Sequence, residues 1–151
     1  MQIRIENNTG LKKLNFDDKK QLMARIGDYA VVAIKNRTNK GVDYNDKSFV
    51  PYSEKYLDYR LKNNGTALVN LKSVPKSKKK KIAASTHMIQ SVKIQSLKSD
   101  EVEIGLTGFN LEKAVWNAER KGAEREFLGL SNNDEKEIEK MIDKYIDSKL
   151  K

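Results

Sequence analysis

No cysteine occurs in the 151 residues, which excludes a disulfide framework and a thiolate metal site. A single histidine, His87, excludes a histidine-rich metal centre. No apolar run approaches the roughly 18 residues that suggest a membrane span. The opening residues MQIRIENN have neither the apolar stretch nor the cleavage pattern of a secretory signal. These absences lead us to expect a soluble protein made and used in a cytoplasm, with no membrane partner. No phosphate-binding glycine loop, dinucleotide fingerprint or Gly-x-Ser-x-Gly elbow is present. His87, between Thr86 and Met88, reads as a packing or plain surface position more readily than as a proton shuttle. The expectation is a protein that is not an enzyme and needs no cofactor.

What the chain does have is charge. Hydrophobic residues make up 38% and charged residues 34%, a lean mixture for a free-standing globule. One domain spanning 1–151 is expected from the length, with a thin core and stabilisation by self-association. The formal charge is +9, and it is unevenly placed. Between Arg60 and Ser99 lie ten Lys/Arg and no Asp or Glu, which leaves 20 basic against 21 acidic residues elsewhere. The excess is confined to the middle of the chain.

Taken in order, Ile3 and Ile5 alternate with polar neighbours as in a half-buried strand, ended by a turn at 7–10. A helix follows from Phe16 or Asp17, capped by Asn15 or Asp17, and reaching Asn36 or Arg37. Its apolar face is Leu22, Ile26, Tyr29 and Ala33, widened by Met23, Ala30 and Ile34. Gly27 interrupts it at about 1 kcal/mol relative to Ala, a cost that suits close approach of a neighbouring element. A second helix is expected over 54–62 and a short one over 82–90. Strands over 91–97 and 101–107 follow, with Val102, Ile104 and Leu106 on one buried face. A helix over 110–121 turns Leu111, Ala114, Val115 and Ala118 inward, with Trp116 packed at its edge and Gly122 as C-cap. The last helix starts at a Ser131 or Asn133 cap and carries Ile138, Met141, Ile142, Tyr145, Ile146 and Leu150 at helical spacing. The fold class implied is α+β: helices packed on a small antiparallel sheet, with long N-terminal and C-terminal helices. Residues 66–81 have no clear period and end in consecutive lysines that repel one another, which reads as a mobile basic loop.

The stretch GVDYNDKSFVPYSEKY at 41–56 is a run of turn formers followed by aromatics around Pro51, then Ser53 as a helix N-cap. It resembles the loop-to-helix signature of phage virion morphogenesis proteins, the tail completion family of contractile-tailed phages. The matching positions are Arg37, Thr38, Gly41, Asp43, Phe49, Pro51, Tyr52, Ser53 and Tyr56. A second stretch, Arg125, Glu126, Phe127, Leu128, Gly129, Leu130 and Ser131, resembles the family's segment before its last helix. The lysines at 78–81 depart from the family, whose corresponding connection is longer and more apolar. The resemblance implies a structural, non-catalytic role in finishing the head-proximal end of a tail so that it joins the filled head. It also implies localisation in the virion, after assembly in the bacterial host cytoplasm. The partners implied are further copies of the chain, possibly as a ring, and tail tube or head–tail connector proteins.

Each candidate has a plainer reading beside it. With Asp43 as first ligand of a calcium loop, Asn45 and Glu54 fall at ligand positions, but Lys47 occupies another and Ser48 replaces the required glycine. Turn chemistry explains these acids, and no metal is expected. Phe49, Tyr52, Tyr56 and Tyr59 form either a local core or a contact surface. The strip Arg125, Phe127, Leu128, Gly129 and Leu130 is in the same way a candidate surface for docking on a neighbour. Lys76, Lys78, Lys79, Lys80 and Lys81 are suited to neutralising phosphates, which makes non-specific DNA contact the alternative function. Against it, residues 72–98 contain no Phe, Tyr or Trp on which a base would stack.

Overall fold

A computed structural model describes residues 2–6, 14–50, 53–62, 87–119, 121 and 124–150. The elements are β1 (Gln2–Glu6), α1 (Phe16–Asn39), α2 (Glu54–Lys62), α3 (His87–Gln90), β2 (Lys93–Leu97), β3 (Glu101–Gly105), α4 (Gly108–Ala118) and α5 (Asn132–Leu150). The chain is α+β, as its patterning implies: helices lie on one small antiparallel sheet between long first and last helices. The expected basic loop at 66–81 lies outside the described residues, as do Pro51, Tyr52 and Gly122.

The sheet order is β1-β3-β2, so the alternating β3 is the central strand. Ile3 and Ile5 pair with Ile104 and Val102 on one side, while Ile94 and Leu97 pair with the same two residues on the other. Ile94 and Leu97 are three residues apart, which in a regular strand would put them on opposite faces. A β-bulge between Ile94 and Ser96 absorbs the extra residue and returns Leu97 to the core face. The Gln95 side chain donates to the Gly105 carbonyl at 3.1 Å beside the bulge. On the outer face Arg4 bridges Glu101 at 3.1 Å and Glu103 at 2.8 Å. Exposed pairs of this kind contribute about 1 kcal/mol or less each.

α1 covers the inner face. Its start is fixed by Asn15, whose side chain accepts the Asp18 N–H at 2.8 Å. It runs to Asn39, two turn-formers past the expected end, and buries Leu22, Met23, Ile26, Ala30 and Ile34. Gly27 is where helix and sheet touch: a Cβ there would lie 2.7 Å from Ile94 Cδ1 and 2.9 Å from Val102 Cγ2. α5 packs along α1 with Ile138 and Tyr145 buried.

Two expectations are corrected here. The helix expected from 110 starts at Gly108, which adopts a positive φ of 57°, and it ends at an αR cap on Glu119. Trp116 does not pack at its edge but stands 75% exposed. With Ala114 buried and Leu111, Val115 and Ala118 half-buried around it, residue 116 falls on the opposite side of the helix.

Candidate interaction site

The segment after α1 closes on itself before it meets anything else. Gly41, at a φ of 78°, starts a tight excursion in which Val42 and Ser48 form a β-bridge. The Phe49 N–H donates to the Gly41 carbonyl at 2.8 Å. Asp43 organises the tip: its Oδ1 accepts the N–H groups of Asn45 at 2.8 Å and Lys47 at 2.9 Å. The carboxylate that the calcium reading would need is thus engaged with its own loop. Among the described residues no three His, Cys, Asp or Glu side chains gather as a metal would require.

This closed loop packs on the strip 124–131, more than 70 residues later. The Arg125 guanidinium donates to the Val50 carbonyl and stands 5.9 Å from the centre of the Phe49 ring. Tyr44 donates to Glu126 at 2.8 Å, and that hydrogen bond raises the tyrosine's pKa above its ordinary value. The Tyr44 ring lies over Gly129, where a Cβ would sit 2.5 Å from ring carbons. Only a residue without a side chain fits beneath it.

Arg37 ties this pair of segments to the helices. It forms an ion pair with Asp134, and its other terminal nitrogen donates to the Gly129 carbonyl at 2.5 Å. Asp134 also closes the start of α5: it accepts the Ser131 N–H at 2.9 Å, while its own N–H donates to the Ser131 hydroxyl at 3.2 Å. That reciprocal arrangement is a capping box with aspartate in the third position. Tyr29 reaches the other Asp134 oxygen at 3.4 Å. Burial, then the adjacent Asp134 charge, push the Tyr29 pKa above its ordinary value. The positive end of α5 and the negative end of α1 each favour the charge they receive.

Comparison with family models, with curated proteins and with solved structures finds no match for this chain. The site therefore has to be read from its own geometry. Of the two sequence stretches singled out above, Arg37 and Phe49 meet Gly129 and Arg125, while Gly41 and Asp43 shape the loop that carries Phe49, and Phe127 and Leu128 are buried in the core. Phe49 is 3% exposed, Arg125 1% and Phe127 0%, so these side chains are held within the chain's own fold. The strip does not lie open as a docking surface. Leu130 is half-buried, Ser53 is exposed at the start of α2, and Tyr59 is 61% exposed on that helix. The side chain of Tyr56 and the lysines at 76 and 78–81 lie outside the described residues.

Asp134 and Tyr44 carry the junction but were not singled out by the sequence. Nothing local in the sequence links Asp134 to Arg37. The Ser131-x-x-Asp134 spacing was the available signal for the cap.

Proposed function

We propose that the chain is a structural virion-assembly protein that completes a phage or prophage tail, or joins it to the head, through contacts with itself and with tail or connector proteins. The observation that supports this reading is the union of its two resemblance-bearing stretches. Arg37 and Phe49 of the first stretch contact Gly129 and Arg125 of the second, and neighbouring Tyr44, Val50 and Asp134 complete the junction. That junction clamps the end of α1, the loop and the start of α5 into one body. Its role in this reading is to hold a shape for partners. The test is genetic: in the phage or prophage that encodes the chain, its removal should leave filled heads and unattached tails by electron microscopy. Joined particles formed without it would end this reading.

A second reading rests on the concentration of charge between residues 60 and 99, where the whole net excess lies. In it the chain binds nucleic acid without sequence preference through Lys76 and Lys78–81. Reversing the charges at 78–81 then abolishes DNA retention in a gel-shift assay, whereas in the assembly reading it leaves head–tail joining largely intact.

A further inference from the structure

We infer that the chain docks head to tail on a second copy of itself, with Trp116 of one copy seated in the groove between α1 and α5 of the next. This deepens the assembly reading, and rests on it for the purpose of self-association, but its contact surfaces come from separate observations.

The knob is the outer face of α4. Phe109, Lys113 and Trp116 recur at helical spacing opposite the buried Ala114, so they form a stripe rather than scattered apolar positions. Phe109 already has Lys113 Nζ 4.4 Å from its ring centre. Trp116 is the more exposed of the two rings and the sole tryptophan of the chain. Carboxylates stand one turn to either side of it, at Glu112 and at the cap Glu119, and both are exposed.

The groove has the opposite chemistry. It is a half-open depression of about 340 Å³ between Leu22 and Arg25 of α1 and Met141, Lys144, Tyr145 and Ser148 of α5. Its floor is apolar and its lining holds two cations and no carboxylate. Tyr145 is fixed in place beforehand: its hydroxyl bonds Gln21 at 2.7 Å and lies 3.4 Å from Asp18, which pairs with Lys149 at the groove's end, and Arg25 lies 5.2 Å from the ring centre. A preformed apolar slot rimmed by cations suits an indole, whose face attracts a cation more strongly than any other side chain's. Arg25 and Lys144 are then available to Glu112 and Glu119 of the incoming helix.

The same charges decide the symmetry. Groove against groove would bring Arg25 and Lys144 onto their own copies, a repulsive contact. Knob against groove sets Glu112 and Glu119 opposite Arg25 and Lys144, and such a heterologous contact propagates from copy to copy, closing into a ring when the rotation allows.

The experiment uses the full chain, with mass from light scattering and the fluorescence of Trp116 followed together against concentration. As the sole tryptophan, it reports its own environment. The expected result is a blue shift of the emission that rises in step with mass. Trp116→Gln is expected to lower the association constant roughly thirtyfold or more, the effect of losing a central aromatic anchor. Lys144→Glu should weaken association while its Trp116 emission stays that of a water-exposed indole. A mixture of the two variants should form a dimer and nothing larger, because one copy retains only a knob and the other only a groove. A wild-type chain that stays monomeric with unshifted emission overturns the inference, as does a Trp116→Gln chain that associates normally or a mixture that yields no dimer. An emission shift seen only on adding another tail component would identify that component as the occupant and also overturn self-docking. None of these outcomes depends on whether particles join without the chain, so the assembly reading succeeds or fails separately.

Discussion

The junction at Arg37 and the groove at Arg25 use the same materials for opposite ends. Each joins an α1 arginine and a tyrosine to a residue of α5. In the junction a carboxylate, Asp134, sits among them and the chain covers the set: the Arg37 and Asp134 side chains are only 10% and 11% exposed. In the groove the lining has cations without a carboxylate and opens to solvent. A charged cluster completed within the chain holds the fold together, and one completed on only one side is left for a partner. The difference teaches that exposure together with charge balance, and not residue type, separates the two roles.

The largest effect should come from breaking the completed cluster. Arg37→Ala leaves Asp134 as a buried charge without its cation, a change that typically destabilises by about 3–5 kcal/mol. Urea unfolding of the variant measures it directly, and a loss below about 1 kcal/mol would mean that the pair behaves as a surface ion pair. Gly129→Ala comes next. Its Cβ would meet the near end of the Tyr44 ring at 2.5 Å, so relief needs a shift of the loop, and overpacking of this kind costs about 1–3 kcal/mol. In a Tyr44→Ala background most of that cost should vanish, and the coupling in the double-mutant cycle tests whether ring and glycine meet as described.

A smaller effect sharpens the comparison through pH. Tyr29 has a folded-state pKa raised above 10.0, first by burial and then by Asp134. Its folded state therefore holds a proton that the unfolded chain gives up near pH 10, and stability falls as pH rises from there through the folded value. Below the unfolded value the contribution is complete and the slope from this group is zero. Tyr29→Phe cannot ionise, so its denaturation midpoints should decline less steeply above pH 10 than those of the wild type. Parallel declines would show that Tyr29 does not feel Asp134.

The long helices and the central strand were legible because their burial follows one period along one stretch. Leu22, Ile26, Ala30 and Ile34 on α1, and Val102, Ile104 and Leu106 at β3, lie where the spacing puts them. The bulge before Ser96 was not, since it is stabilised by register with a neighbouring strand and by a side chain reaching a distant carbonyl. The junction was half legible. Its two stretches stood out by their turn residues and resemblance, but the Arg37–Asp134 link spans 97 residues, and no local pattern joins the two. Trp116 could have been placed from the helix spacing, because the inward positions 111, 114, 115 and 118 leave residue 116 outside.

Trp116 gives the smallest stability effect and the sharpest contrast. At 75% exposure its side chain makes little of the fold, so Trp116→Gln should change unfolding free energy by about 0.5 kcal/mol or less, as for other surface sites. Arg37→Ala should do the reverse: lower stability severely, yet weaken self-association only in proportion to the fraction of chain unfolded. Measuring both variants by urea unfolding and by light scattering yields a two-by-two outcome. A Trp116→Gln protein that is as stable as wild type but no longer associates separates surface from scaffold. A variant that loses several kcal/mol would instead put the indole inside the fold and erase the distinction between the two clusters.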